Sequence, residues 1–137
     1  MTTVLLASDS DQIFAEVDAT LASDSCNVLR IREGKDVLAV VQAKSPDLVI
    51  LDLQIGVMGG FAACMAVRQE ERAGRLDDQN IALLLDRDAD GYLASQSGAD
   101  GWLIKPIDSL RLRRLYTEVM AGNTYFEGDY TESTALA

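Results

Sequence analysis

Ionisable side chains follow several apolar runs of this sequence at the points where those runs end. Asp9 comes just after "VLLAS", Asp52 ends the run "LVIL", and Lys105 follows "GWLI". A carboxylate is costly to bury, so one placed directly after a buried strand indicates either a strand that reaches the surface or an acid with a chemical task. Carboxylates gathered at one edge repel each other and favour a hard cation such as Mg²⁺. With a lysine beside them, they suit phosphoryl chemistry, in which cation and lysine offset the phosphoryl oxygens while one carboxylate attacks.

The composition excludes several other kinds of site. The chain has no histidine, which rules out a Ser-His or Cys-His catalytic pair and any histidine metal ligand. Its two cysteines, Cys26 and Cys64, lie far apart and in no metal-ligand spacing, so we expect two buried thiols. The net charge of −10 disfavours direct contact with nucleic acid or with an anionic membrane surface.

Elements that would position these residues alternate along the chain. Short apolar runs lie at 3–7, 48–51, 81–85 and 101–104, and the stretch 27–31 alternates apolar and polar residues, as an edge strand would. Helical patterns follow each of them, and the one at 59–74 predicts a helix with Phe61 and Met65 turned inward and Cys64 as a further inward candidate. This alternation predicts an α/β fold, a doubly wound parallel sheet covered on both faces. Ligands bind outside the carboxyl ends of the strands in such a sheet, which is where the ionisable residues stand.

The domain organisation follows from a change in composition. We expect one domain over residues 1–122, a length that allows a sizeable core. Residues 123–137 are polar and acidic but include three aromatic residues, and we expect a tail that is flexible or docks onto a partner or onto its own domain. No apolar run reaches the length of a membrane span and no basic stretch precedes the first run, so the expected location is cytoplasmic.

Three stretches carry a resemblance to a known family. "VLLASD", "PDLVILDLQIGVMGGF" and "GADGWLIKP" together resemble the receiver domain of bacterial two-component response regulators, and the resemblance covers about residues 3–121. It implies the flavodoxin-like, CheY-like fold, a five-stranded parallel sheet of order 2-1-3-4-5 with five helices. It also implies that a histidine kinase donates a phosphoryl group to an aspartate, after which the domain changes shape.

The resemblance assigns roles to individual residues. Asp52 matches the phosphoacceptor, and Lys105 matches the lysine that contacts the phosphoryl group, followed by a cis peptide bond to Pro106. Asp9, Asp52 and the backbone carbonyl of Gln54 match the Mg²⁺ ligands. The module is implied to be a signalling domain and not an enzyme, catalysing at most its own phosphorylation and dephosphorylation.

The sequence departs from the family beside the metal site. The family usually has two adjacent acids after the first strand, and here Ser8 replaces the first of them. A serine hydroxyl is a poorer partner than a carboxylate for metal-bound water, so we expect Ser8 to contribute weakly, through water, and Mg²⁺ affinity to fall. A shift of one residue would let Asp11 compensate.

The switch positions are also altered. The family expects Thr or Ser after the fourth strand, where this chain has Leu85, which cannot donate a hydrogen bond, and then Asp86, which we expect to repel a phosphoryl group. Trp102 falls at the position of the switch aromatic. Two interpretations remain open: a phosphorylated regulator with an unusual switch, which the retained acceptor and lysine favour, and a receiver-like module that binds a partner without regulated phosphorylation.

Other classes fit less of the chain. Asp9 and Asp11 form a D-x-D after an apolar strand, which resembles haloacid-dehalogenase-type phosphatases, but Ile13 stands where a turn residue is expected. A flavodoxin-like flavin carrier needs a glycine- and hydroxyl-rich phosphate loop, and the acidic "SDSDQ" does not supply one.

The resemblance also implies partners. We expect a stand-alone regulator that receives its phosphoryl group from a histidine kinase and acts through contacts with a downstream protein. The face formed by the fourth helix, fifth strand and fifth helix carries a basic cluster of Arg111, Arg113 and Arg114. An acidic partner surface or a symmetric homodimer through this face is the hypothesis, and a solvated helix face is the alternative.

Overall fold

Strands and helices alternate along the chain in the computed structural model, which describes residues 1–56 and 58–128. The strands are β1 (Thr2–Ala7), β2 (Cys26–Ile31), β3 (Leu48–Asp52), β4 (Ile81–Leu85), β5 (Gly101–Ile104) and β6 (Tyr125–Phe126). The helices are α1 (Asp11–Leu21), α2 (Val37–Lys44), α3 (Gly60–Arg72), α4 (Gly91–Ser97) and α5 (Ser109–Met120). None of the helices in these described residues is long and apolar enough to cross a membrane.

The strands form a single sheet in the order β2-β1-β3-β4-β5-β6, and every pair is parallel. The predicted α/β fold and its 2-1-3-4-5 strand order are confirmed. The structure adds β6, a strand of two residues that no pattern in the sequence indicated. The strand at 26–31 lies at one edge of the sheet, as its alternating sequence predicts, and β6 lies at the other edge.

The apolar strands supply two core layers because successive side chains point to opposite faces of a sheet. One layer joins Leu51, Leu83 and Trp102 to helices α2, α3 and α4, and the other joins Ile50 and Leu84 to helices α1 and α5. This explains why the central strands are apolar throughout and do not alternate.

Helix α3 corrects one prediction. It buries Ala63, Cys64 and Val67, whereas Met65, predicted to point inward, is 52% exposed. The stretch 59–74 is rich in small residues, so several helical faces match its apolar periodicity. Both cysteines of the chain are buried and unpaired.

The strand ends meet at one edge of the sheet. Asp52 is level with Leu84 of β4 in the pairing register, and Leu85 is level with Ile104 of β5. Helix α3 begins directly against the end of β3, where a Cβ on Gly60 would lie only 2.8 Å from the carbonyl oxygen of Asp52. Glycine is therefore needed where this helix starts, and the approach fixes the loop beside Asp52.

Candidate functional site

Asp52 ends the central strand β3 and is only 2% exposed. The hydroxyl of Ser8 donates to its Oδ2 at 2.8 Å, and the backbone N–H of Gln54 donates to its Oδ1 at 3.1 Å. The ammonium group of Lys105 also contacts Oδ1. These three donors offset the cost of burying the carboxylate and hold it at the sheet edge.

Lys105 bridges two acids. Its backbone N–H donates to the carbonyl oxygen of Leu85 at 2.8 Å, which fixes the loop after β5, and its ammonium group lies 2.9 Å from Oδ1 of Asp86. Burial lowers the pKa of Lys105, but the hydrogen bonds and charges of Asp52 and Asp86 outweigh it and raise the pKa above its usual value. Lys105 is therefore a fixed positive charge beside Asp52.

Asp86 has a role that sequence reasoning missed. Burial raises the pKa of Asp86, but hydrogen bonds from Lys105 and Gln54 lower it by a larger amount, so the net pKa lies below the ordinary value. The sequence indicated only a carboxylate that repels a phosphoryl group, whereas the structure pairs Asp86 with the site lysine. A charged residue directly after an apolar strand, the signal that identified Asp52, also applies to Asp86.

Leu85 and Trp102, the two predicted switch positions, lie in one core layer. Leu85 is fully buried and Trp102 is 1% exposed, and both belong to the layer under α2, α3 and α4. The hydrocarbon side chain of Leu85 packs in this core layer at the end of β4. The peptide bond between Lys105 and Pro106 is cis.

The residues after β1 divide into buried and exposed groups. Ser8 is fully buried against Asp52, whereas Asp9 is exposed. The idea that Asp11 compensates for Ser8 is wrong, because its carboxylate lies 2.8 Å from Arg30 and 3.2 Å from Arg32. That pairing also gives no support to a phosphatase in which Asp9 and Asp11 act together.

The donor set for a cation is reduced to two carboxylates. Across residues 1–56 and 58–128, no three His, Cys, Asp or Glu side chains are grouped so that they could hold a metal ion. Of the predicted ligands, Asp52 bonds Ser8 and the backbone N–H of Gln54, and the exposed Asp9 follows Ser8 in the chain. One or two carboxylates with waters are sufficient for Mg²⁺, so these residues fit the ion, with fewer charges than the family pattern supplies.

A groove of about 410 Å³ opens beside the site. It runs between α1 and the loop after β5, and its lining comprises Ser10, Gln12, Ile13, Glu16, Lys105, Pro106 and Ile107. A side chain of another molecule could therefore approach the neighbourhood of Lys105 from the α1 side.

The basic cluster of α5 does not form one surface. Arg111 bonds Asp108 and Glu127, and Arg113 donates to the carbonyl oxygen of Thr20 at 2.8 Å. Arg114 is exposed. Arg113 and Arg114 are both exposed and line one groove, whereas Arg111 is half-buried and engaged within the chain.

Comparisons with known proteins agree with this geometry. A family model described as "Response regulator receiver domain" matches residues 4–117. The chain is similar to the transcriptional regulatory protein AfsQ1 of Streptomyces coelicolor, with 31% identity over 109 residues, 78% of this chain and 46% of AfsQ1. It is also similar to protein PilH of Pseudomonas aeruginosa, with 25% identity over 89% of this chain and 100% of PilH. The chain thus spans less than half of AfsQ1.

Two solved structures share the fold. Chemotaxis response regulator CheY4 of Vibrio cholerae is 29% identical, covers 87% of this chain and 98% of its own, and superposes with a TM-score of 0.76. The receiver domain of sensor histidine kinase PA1611 from Pseudomonas aeruginosa is 21% identical, covers 88% of this chain and 98% of its own, and has a TM-score of 0.75. That structure holds a magnesium ion in its active-site cleft.

Proposed function

The chain belongs to the response regulator receiver domain family, and from this premise we propose that it accepts a phosphoryl group on Asp52 from a histidine kinase. A carboxylate oxygen of Asp52 attacks the phosphorus of a phosphohistidine. The P–N bond breaks, the histidine nitrogen leaves with the electron pair, and an acyl phosphate forms on Asp52. The observation that carries this proposal is the buried Asp52 bonded to both Ser8 and Lys105 at the edge of the sheet.

Lys105 and Ser8 prepare Asp52 for this step. Burial and three hydrogen-bond donors hold the carboxylate of Asp52 in one position. A phosphoryl donor therefore meets an attacking oxygen that is already oriented. As the phosphoryl group arrives, the ammonium group of Lys105 exchanges Asp52 for a phosphoryl oxygen and stabilises its negative charge. Asp86 competes with the phosphoryl group for this lysine, so we expect slower phosphorylation than with a neutral residue there.

Magnesium is part of the proposal. Asp9, Asp52 and the backbone carbonyl of Gln54 would hold the ion, with Ser8 acting weakly through water. The ion would supply positive charge that offsets the phosphoryl oxygens. Because Ser8 replaces a carboxylate, we expect Mg²⁺ to bind more weakly than a site with three acids would bind it.

The groove beside Lys105 suits the phosphoryl donor, because it opens next to the reacting residues between α1 and the loop after β5. We propose that the domain signals by binding a downstream protein through the face of α4, β5 and α5. The alternative is a symmetric homodimer that forms through the same face. We propose a cytoplasmic location and no direct contact with nucleic acid or membrane, in line with the net charge of −10.

A phosphorylation-independent binding module is the second candidate. The observation that favours it is the burial of Leu85 in the core, because a hydrocarbon side chain cannot bond a phosphoryl oxygen and draw the loop inward. This module would bind its partner with the same affinity whether or not Asp52 carries a phosphoryl group.

The test is the intact mass of the protein after incubation with acetyl phosphate, with and without Mg²⁺. We expect a Mg²⁺-dependent gain of one phosphoryl group in the natural sequence and none in Asp52→Asn. Asp86→Asn is the matched control, because it removes one charge from the same lysine and leaves the acceptor in place, and it should gain the same mass. No gain in any metal would refute the phosphoacceptor role and favour the binding module.

A further inference from the structure

Residues 123–128, called the C-terminal strap, run along the free edge of β5. Tyr125 pairs with Gly101 and Phe126 with Trp102 in parallel register. The backbone N–H of Tyr125 donates to the carbonyl oxygen of Asp100 at 3.2 Å. The approach is close, since a Cβ on Gly101 would lie 2.8 Å from the Tyr125 carbonyl oxygen. Glycine at the start of β5 therefore makes room for a neighbouring strand.

Trp102 and the strap share a specific contact. The indole N–H donates to the carbonyl oxygen of Glu127 at 2.9 Å, and the indole ring stacks on Phe126 with centroids 4.2 Å apart and planes inclined by 28°. Aromatic stacking adds stabilisation beyond the area it buries. The face of Trp102 thus selects an aromatic side chain at the position that Phe126 occupies.

Glu127 fixes the end of the strap. Its Oε1 accepts from the backbone N–H of Ile104 at 2.8 Å and from Arg111 at 2.7 Å, and its Oε2 accepts from Arg111 at 2.8 Å. Burial raises the pKa of Glu127, but its bonds to Arg111 and Ile104 outweigh it and hold the pKa below the ordinary value. Arg111 therefore presents a two-pronged carboxylate site beside a backbone donor, a geometry that favours a carboxylate over an amide.

The strap covers this edge with little structure of its own. It forms a strand of two residues, and Phe126 remains 43% exposed. Short segments with few buried contacts open at a low free-energy cost. An uncovered sheet edge, in turn, is a template for an extended segment from another chain.

We propose that the edge of β5 is a docking site for an extended segment of a partner protein in which an aromatic residue is followed by glutamate, and that the strap occupies this site in cis. Main-chain bonds to β5 supply affinity, while Trp102 and Arg111 read the aromatic ring and the carboxylate. Only residues 121 and 122 separate the strap from α5, so its effective concentration at the site is high. A partner must compete with the strap. Its apparent affinity therefore falls in proportion to the fraction of molecules in which the strap has left the site.

The experiment uses Trp102 as the reporter, because it is the one tryptophan of the sequence. In the full-length chain with Phe126→Ala and Glu127→Gln together, acrylamide should quench Trp102 several-fold more strongly than in the natural sequence. The synthetic peptide Asn-Thr-Tyr-Phe-Glu-Gly, which copies residues 123–128 and lacks tryptophan, should then bind in trans and restore protection. The same peptide with Gln for Glu should bind about tenfold more weakly, because it loses the charge-assisted pair.

The matched control is Glu70→Gln, which removes a different arginine partner. The side chains of Glu70 and Glu127 are both 19% exposed. Glu70 lies in the last turns of α3 and pairs with Arg75, just after that helix. This variant should leave the quenching of Trp102 unchanged. If the double variant does not fold by circular dichroism, Glu127→Gln alone serves, because it removes only the carboxylate. Unchanged quenching in the strap variant, no binding of the peptide, or equal binding of the Glu and Gln peptides would each overturn the proposal.

Discussion

Replacing Ser8 with aspartate tests how the metal site is built. Ser8 is fully buried, and its hydroxyl donates to Asp52 at 2.8 Å. An aspartate at this position puts a second carboxylate against a buried one and removes a donor. We therefore expect Ser8→Asp to be less stable without metal than the natural sequence, and to bind Mg²⁺ more tightly because the ion relieves the repulsion.

The size of the effect follows from these contacts. Loss of a hydrogen bond to a charged group costs about 1.5–3 kcal/mol. Two like charges about 4 Å apart add roughly 1–4 kcal/mol, depending on the effective dielectric constant. A total of about 4 kcal/mol would lower the midpoint of thermal unfolding by roughly 10–20 °C in a domain of this size. Mg²⁺ at about a hundred times its dissociation constant would return roughly 2.7 kcal/mol.

The assay is thermal unfolding in EDTA and in rising concentrations of MgCl₂, for the natural sequence, Ser8→Asp and Ser8→Ala. Ser8→Ala is the control, because it removes the hydroxyl and adds no charge. The midpoint of Ser8→Asp should rise most steeply with Mg²⁺, and that of Ser8→Ala least. Equal Mg²⁺ dependence in all three proteins would refute the reasoning, since position 8 would then not face the ion.

Three other predictions concern the core, the strap and a thiol. Leu85→Thr should lower the free energy of unfolding by about 2–4 kcal/mol, because it leaves a cavity and an unpaired hydroxyl in the core. Urea unfolding measures this change, and an unchanged midpoint would contradict the burial of Leu85. Burial raises the pKa of Glu127, but the bonds to Arg111 lower it by more, so the net pKa lies below the ordinary value of 4.5. The pairing therefore stabilises the strap fully above pH 4.5, and this stabilisation is lost as the pH falls through the lower pKa of the folded state. Acrylamide quenching of Trp102 should accordingly rise in acid in the natural sequence and not in Glu127→Gln. Burial raises the pKa of Cys64 to about 11, so its thiol should resist iodoacetamide at neutral pH until denaturant is added, as followed by mass.

The pairing of Lys105 with both Asp52 and Asp86 changes how the altered switch is understood. Asp86 follows Leu85 directly and shares the lysine that would contact a phosphoryl group. Movement of Lys105 toward a phosphoryl oxygen would strain or break its bond to Asp86, and Asp86 lies at the start of the loop that leads to α4. In this structure the contact between the site lysine and that loop is an ion pair and not a hydrogen bond from a hydroxyl.

Much of the fold follows from the sequence because its signals are local. Apolar runs of four or five residues between helical patterns predict the five main strands, and the rule that parallel strands end at one edge places Asp52 and Lys105 together. The inner face of α3 was predicted only in part: Cys64 is buried as expected, but Met65 is exposed, because small residues such as Ala63 fit several helical faces. The short strand β6 has no periodicity to detect, since it consists of two residues.

The residues that stand at the strand ends can be identified from the sequence alone, because burial of an apolar strand and exposure of its end are properties of a short stretch of chain. The pairing of the charges, in contrast, depends on the tertiary structure. Asp11 bonds Arg30 and Arg32, Asp86 bonds Lys105, and Glu127 closes on Arg111. Residues so far apart in the chain become partners only when the sheet register, the loops and the side-chain rotamers bring their atoms within hydrogen-bond distance, and that arrangement is set by the packing of the whole domain.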